Sequence, residues 1–584
     1  MGQATTVANE HIRYEPDERV PPLLTLNVAF QGMVLIVSNT VTFVVIFSAA
    51  FNDDGSYMTW AIVGALIVAG VSTALHASKI GRLGPGHVLL MGSGVPFLAA
   101  CVLAVEQGGL ALMSSLVIAS SLIQFLVAAR LAQLRRLITP VVSGVAFMMI
   151  ALSAMPIALG RLNDVPVGAS DGAGAVVGLA TLAITALLML LGSGLWRLWA
   201  LPIALIGGCA IAVPLGVYDI QRALDAPWFD LPEVAGWPGF GSVLEEDFWA
   251  LLLVFLVVSA VVAVRSSSEG AAIQQASRRE PRSIDFRGVQ RTLNVGGIAI
   301  FLSGIAGTPP TIAYLPSTIS LFQFTGVAAR RVGITIGVML IVAALLPKIV
   351  AMLLTIPRPV SGALLLVIMG LLFVEGTRTV MRDGLNRQRA AIVGTSLSIA
   401  VGLQSQNILA DVIGGTWGAT LGNGVVFGVS AAVLLTVVLE LAGSRPRPRR
   451  MESELDVSAL PEIEAFLRQL GADLRWNQAS IDRLHAAGEE TLSAMLNLRD
   501  DYESDQPPRL VLIARPAGGT VELEFLALFS EENLEDRIAY LSEQAEEPDV
   551  GDISFRLLRF YASSVRHRKY YGVDIVTVEV DGSR

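Results

Sequence analysis

Between Leu24 and Leu441 long apolar runs alternate with short polar breaks; past Arg445 the runs stop and charged residues crowd together. A hydrocarbon core about 30 Å thick takes roughly 20 apolar residues per helix. Runs of that kind start near Leu26, Met58, Pro85, Gly109, Ile138, Ala173, Leu201, Phe248, Thr292, Thr311, Val332, Val360, Ala390 and Gly422, fourteen in all. Two would make poor helices. Gly84-Pro85-Gly86-His87 and Gly307-Thr308-Pro309-Pro310 set helix breakers inside membrane-depth sequence. Irregular backbone at that depth is tolerated only where it is buried in protein or lines a cavity. The pattern predicts an all-α polytopic membrane protein carrying a soluble α+β domain. Its expected parts are a tail at 1–23, a membrane region at 24–442, an Arg/Pro linker at 443–452 and a cytoplasmic domain at 453–584.

Composition sharpens this. The chain is 53% hydrophobic and 16% charged, against about 25% charged in an average soluble domain. Met1 to Pro22 is polar, with Asp17, Glu18 and Arg19 just before the first run, which is not the form of a signal peptide. Cys101 and Cys209 lie in apolar runs and read as small core residues, so no disulfide, metal site or cofactor is expected. Nothing points to nucleic acid, and no Walker-type phosphate loop marks a primary pump.

Basic residues orient the spans. Lys79 and Arg82 follow the second run and Arg130, Arg135 and Arg136 the fourth. Arg278, Arg279, Arg282, Arg287 and Arg291 follow the eighth, and Arg330 and Arg331 the tenth. Arg378, Arg382 and Arg387 follow the twelfth, and Arg445, Arg447, Arg449 and Arg450 the fourteenth. All are even-numbered exits, so the positive-inside rule puts both termini in the cytoplasm, under an inner membrane. The loop from Asp219 to Asp247, with seven acidic residues against Arg222 alone, belongs outside.

Two strings recur. Pro140-Val141-Val142-Ser143-Gly144 opens the fifth run and Pro359-Val360-Ser361-Gly362 the twelfth; Gly84-Pro85 and Gly307 to Pro310 break the third and tenth. The offset is seven spans, an odd number, so the halves would sit inverted. Inverted repeats with interrupted helices are the plan of many secondary transporters. Chance recurrence of Pro and Gly is the bland alternative.

Several strings resemble the nucleobase–ascorbate (xanthine/uracil permease) family. They are Tyr14-Glu15-Pro16-Asp17 with Pro21-Pro22, Gln31 in the first span, Pro140 to Gly144, Gly304 to Thr311, Thr325 to Gly333, Pro347-Lys348 and Ile356 to Gly362. The resemblance implies fourteen spans in a 7+7 inverted repeat. It further implies a core domain (spans one to four and eight to eleven) sliding against a gate domain, with substrate between the half-helices of spans three and ten. The chain also departs from the family. Arg265 stands where span eight usually has a carboxylate, Pro316-Ser317 where span ten has a residue before Asn, Gly32 where span one has His, and Gly86-His87 where span three has Ser-Phe.

These comparisons nominate Arg265, Glu269, His87, Tyr314, Pro316, Ser317, Thr318 and Gln31 as substrate-binding residues, with Glu269 and His87 as coupling groups. Each has a bland reading beside it. Arg265 follows the apolar run Phe248 to Val264 and either ends a helix, snorkelling to the surface, or lies at mid-depth where a charge is functional by default. Glu269, one turn on, either neutralises it permanently or opens on substrate arrival. His87 either contacts substrate beside a helix N-terminus or bonds backbone across the gate. Tyr314, Ser317 and Thr318 either line the pocket or satisfy freed backbone groups. An Arg at the span-eight position tilts the expected substrate toward urate-like, xanthine-like or ascorbate-like molecules, or a simple anion.

In the tail, Leu460 to Leu470, Ser480 to Leu498 and Ile553 to Val565 read as helices, and Arg509 to Ile513, Thr520 to Leu526 and Ile575 to Val580 as strands. Ile481 to Asn497 and Gly551 to Leu558 resemble the N-box helix and lid of an anti-sigma-factor-type, histidine-kinase-like ATPase domain. The metal-binding Asn is replaced by Ala494, and Leu526-Ala527-Leu528-Phe529 stands where Asp-x-Gly is expected. The domain is expected to be a degenerate module for regulation or dimerisation, meeting a cytoplasmic regulatory protein, without ATP hydrolysis. The whole reads as a homodimeric, elevator-type secondary transporter of a nucleobase-like solute, with proton coupling through Glu269 or His87. An anion exchanger related to sulfate permeases and a non-transporting membrane sensor are the alternatives.

Overall fold

A computed structural model describes Asn9 and residues 11–48, 56–80, 83–129, 140–218, 236–279, 286–346, 355–381, 387–442, 449–499, 508–528 and 561–582, apart from short gaps at 167–168, 171, 193–195, 197–198, 407–410, 413, 415–416, 419–423, 518–519 and 571–572. The basic stretch 130–139, the acidic stretch 219–235, Pro347-Lys348 and the lid-like string Gly551 to Leu558 lie outside these residues. The chain divides into two compact units, with the main boundary in the sequence between Val437 and Val438.

The first unit is a helical membrane body: α1 (Pro22–Ser48), α2 (Ser56–Ala77), β1 (Met91–Ser93), α3 (Leu98–Ala129), α4 (Pro140–Gly160), α5 (Ala173–Leu191), α6 (Ala200–Ala212), α7 (Glu246–Ala276), α8 (Phe286–Ala306), β2 (Thr311–Ala313), α9 (Leu315–Thr325), α10 (Arg330–Ala344), α11 (Arg358–Met381), α12 (Arg387–Gln406) and α13 (Gly424–Ala442). Among the described residues, eight helical segments are long and apolar enough to cross a membrane. This is a polytopic, all-α membrane protein. α3 is two helices joined at Gly109, whose φ of 77° only glycine adopts freely.

The helices pack in two groups. α1, α2, α3, α7, α8, α9 and α10 form one, and α4, α5, α6, α11 and α12 the other. In the second group the recurring strings find their reason. α4 and α11 lie side by side, and a Cβ on Gly144 would meet Gly376 O at 2.6 Å while one on Gly376 would meet Gly144 O at 2.7 Å. Gly362 faces Ala158 O at 2.8 Å in the same way. Each string thus sets a glycine in the first turn of one helix against the last turns of its neighbour, where no side chain fits.

The second unit is an antiparallel five-stranded sheet in the order β3-β4-β5-β7-β6, built from β3 (Arg449–Glu454), β4 (Arg509–Ala517), β5 (Thr520–Leu528), β6 (Ser564–Tyr570) and β7 (Val573–Asp581). Helices α14 (Leu460–Asp473) and α15 (Gln478–Arg499) share a core with one face through Ile463, Leu467, Leu484, Leu512, Phe525 and Val578. Two expectations change. Arg449 begins an edge strand, so the end of the 443–452 stretch is sheet, not linker. Of the helix expected from Ile553 to Val565, Ser564 and Val565 are instead the start of β6, paired with β7, and 553–560 lie outside the described residues.

Candidate functional site

The centre of the first helix group is two short strands. β1 and β2 pair antiparallel, Met91 with Ala313, Gly92 with Ile312 and Ser93 with Thr311. Each leads into a helix with proline in its first turn: a 3-10 turn at Val95–Phe97 before α3, and α9 after Tyr314. In this antiparallel register the two helix starts leave the strand pair from its opposite ends.

Backbone taken out of a helix must find other partners when buried. Here hydroxyls supply them. Leu90 N–H donates to Thr318 Oγ1 at 3.0 Å, Met91 N–H to Thr73 Oγ1 at 3.1 Å and Thr311 N–H to Ser303 Oγ at 3.0 Å. Backbone pairs complete the crossing, Tyr314 N–H to Leu90 O and Gly94 N–H to Pro310 O, both 2.7 Å. The last carbonyls of α8 and its following glycine are capped by aromatic donors: Trp60 Nε1–H on Ala306 O at 2.7 Å, Trp237 Nε1–H on Ile305 O at 2.9 Å and Tyr57 O–H on Gly307 O at 3.0 Å.

Several nominated residues prove to be part of this scaffold. Thr318 is fully buried and also donates to Tyr314 O at 2.8 Å, so its hydroxyl serves backbone. Tyr314 O–H donates to Ser93 O at 2.6 Å, tying the start of α9 to the opposite strand. Pro316 is exposed and Ser317 half-buried in the first turn of α9. Gln31 donates to Asn27 Oδ1 one turn back on α1 at 2.7 Å. Gly32 presses on α10, where a Cβ would meet Ile336 Cδ1 at 2.6 Å, so a larger residue there would need the Ile336 side chain to shift.

His87 departs from its expected place. It does not stand at a helix mouth, because the chain stays non-helical from Leu83 to Gly94. Its buried ring bonds Ser277 Oγ through Nδ1 at 2.9 Å, at the end of α7, and its carbonyl accepts from His76 Nδ1–H at 3.0 Å. Glycines at 84 and 86, with φ of 72° and 81°, let the chain turn this early. The breakers were legible, but where the helix resumes depends on strand pairing, a long-range contact.

Arg265 and Glu269 lie inside α7, which continues to Ala276, so Arg265 is not a helix end. They form an ion pair of 2.7 Å, with side-chain exposures of 24% and 6%. The guanidinium also sits over the Phe147 ring of α4, 5.6 Å from its centre, and Glu375 of α11 is a second carboxylate in electrostatic reach. The pair therefore spans the boundary between the two helix groups.

The N-terminal segment straps one end of the first group. Arg13 and Tyr14 N–H both donate to Gly326 O, Ala328 N–H donates to Tyr14 O, and Arg330 N–H to Pro16 O. Arg279 donates to Arg13 O and pairs with Glu18, while Asp17 pairs with Lys79 at 3.2 Å and Arg330 at 2.5 Å.

A family model described as a permease family, the xanthine/uracil permeases, matches residues 24–409. The chain belongs to that family. Xanthine permease XanP of Escherichia coli (strain K12) is 26% identical over 446 residues, covering 74% of this chain and 95% of the relative. Uric acid permease PucK of Bacillus subtilis (strain 168) is 24% identical over 418 residues, covering 71% and 95%. Solved structures that align include the transmembrane domain of the cyanobacterial bicarbonate transporter BicA, at 16% identity and TM-score 0.44, covering 73% of this chain and all of that one. Murine Slc26a9, an anion transporter, aligns at 10% identity and TM-score 0.47, covering 75% and 72%. Membership makes the chain a multi-pass membrane transport protein, not an enzyme.

Proposed function

We propose that the protein is a secondary transporter of a nucleobase-like solute of the xanthine and uric acid class, working in an inner membrane with both termini cytoplasmic. The observation that carries this is the crossing of β1 and β2. It sets two helix N-termini, each a positive dipole end, on either side of one strand pair in the first helix group. A solute with carbonyl or anionic edges suits such a setting, and the similarity to XanP and PucK supports the ring class.

In this reading the fourteen passes form core and gate domains. The group holding the strands slides as the core against the group holding α4 and α11. Arg265, on the core but stacked on gate residue Phe147, exchanges Glu269 for an anionic edge of the solute as the two groups move. The C-terminal sheet domain serves regulation or dimerisation. Uptake of radiolabelled xanthine and uric acid by proteoliposomes tests the proposal. Saturable uptake of either, cross-competed by the other, supports it; uptake of bicarbonate or sulfate with neither purine overturns it.

A further inference from the structure

Behind the crossed strands lies a second polar feature that no nominated residue touches. A small cavity is enclosed by α2, α3, α7, α8 and the two strands. Its polar lining is His76, Gln124, Ser266, Thr292 and Thr311; among the described residues no residue of the second helix group and no Asp, Glu, Lys or Arg lines it. It has room for about one water molecule.

The hydrogen bonds around it fix its chemistry. His76, in the last turn of α2, is fully buried, and its Nδ1 lies 3.0 Å from His87 O. A carbonyl only accepts, so Nδ1 carries the hydrogen and the neutral ring keeps a bare lone pair on Nε2. That atom is buried and has no partner among the described residues. Gln124 is likewise fully buried. Its amide nitrogen donates to Ser259 O at 3.2 Å, which leaves Oε1 a buried acceptor without a partner among the described residues. Glycine at 296 keeps the space open, since a Cβ there would find Gln124 Oε1 at 3.8 Å and nothing nearer. Thr292 spends its hydrogen on Gly288 O at 3.1 Å.

Two buried acceptors without a donor are each destabilising. One water, with two hydrogens, answers both at once. The same water is a path for a proton to Nε2, the basic atom of the set. We propose that this cavity is a proton-accepting site of the core and that His76 is its base. A proton entering from the aqueous phase is relayed by the bridging water, which takes one proton up as it gives one to the Nε2 lone pair and so stays neutral; the Nδ1–H stays on His87 O, and the new Nε2–H points to the water or to Gln124 Oε1. The charged residues on the helices packed against α2 are Arg287 and Arg291 on α8 and Arg330 and Arg331 on α10; none lines the cavity. The titratable neighbour is His87, held by Ser277. As a coupling site the cavity rests on the transport reading; as a proton site it does not.

The chain has five histidines, so the full-length protein labelled with 15N-histidine in lipid nanodiscs can be read by NMR, with His76→Gln assigning one ring. The expected result is the Nδ1–H tautomer at neutral pH, an Nε2 signal that moves to the protonated position on acidification, and a displaced midpoint in Gln124→Leu. An Nε2–H tautomer, an Nε2 signal unmoved by acid, or one that follows added sodium chloride at fixed pH overturns the proposal. In proteoliposomes, His76→Gln should lower the ratio of pH-driven xanthine accumulation to xanthine counterflow about tenfold, within the roughly 5–150-fold span of typical coupling between sites. An unchanged ratio overturns the coupling role. Wild type that moves no purine in either assay removes the transport reading, while the NMR result still decides the site.

Discussion

The two interrupted spans share a backbone plan and differ in side chains. Each has a glycine break, a three-residue strand and a proline-led helix start. The first strand is flanked and filled by small residues, Gly92, Ser93 and Gly94; the second carries Thr311, Ile312 and then Tyr314. The difference is steric fit. A Cβ on Gly92 would meet Thr40 Oγ1 at 2.5 Å and Tyr314 Cε2 at 2.6 Å, and one on Gly94 would meet Ile312 Cγ1 at 2.7 Å. The shared backbone plan thus constrains the path of the chain, while the strand pairing itself demands unequal halves, one large where the other is small.

The largest effect should come from breaking that fit. Gly92→Val should destabilise at or beyond the upper end of the roughly 1–3 kcal/mol usual for overpacking. Detergent-solubilised yield and thermal unfolding would register it, and Gly92→Ala should recover part of its loss when combined with Tyr314→Ala. A Gly92→Val protein as stable as wild type would remove the steric account. Next come the hydroxyls that serve each strand. Thr318→Val orphans Leu90 N–H and Ser303→Ala orphans Thr311 N–H. Both should cost about 1–3 kcal/mol, the penalty of a buried unpaired donor. A large inequality would mean that one strand is held by something else. Tyr314→Phe removes a single bond to Ser93 O and should cost about 0.5–1.5 kcal/mol.

The smallest effect lies in the strap, which joins Lys79, before the first interrupted span, to Arg330, after the second, through Asp17. Partial burial pushes the Asp17 carboxyl up. The hydrogen bond and charge of Lys79, then the charges of Arg330 and Arg278, outweigh it and hold the group below 3.8. A carboxyl depressed in the folded state stabilises above its unfolded pKa and ceases to as pH falls through its folded value. Asp17→Asn should therefore cost at most about 1 kcal/mol near neutrality, as exposed pairs do. The gap from wild type should close as pH drops below 3.8. A gap that widens on acidification would contradict the assignment.

Much of this was legible in the residues. Apolar length gave the membrane body, Gly–Pro strings marked where spans break, and the recurrence of Pro-Val-Ser-Gly pointed to paired halves. Those are local properties: burial of a whole run and the φ restriction of Gly and Pro act wherever the chain goes. His87 and Thr318 were nominated from the same strings, yet one turned to Ser277 and the other to Leu90. His76 and Gln124 were missed because each lies at helical positions of an apolar run and belongs to none of the strings that marked a site. Their bare acceptors meet only once α2, α3 and the crossed strands are packed together. The sequence by itself determined which segments are apolar and where helix geometry must fail. Tertiary structure decided which polar atoms are consumed by the freed backbone and which are left over, because a hydrogen bond between residues far apart in the chain exists only after the fold has brought them within 3 Å.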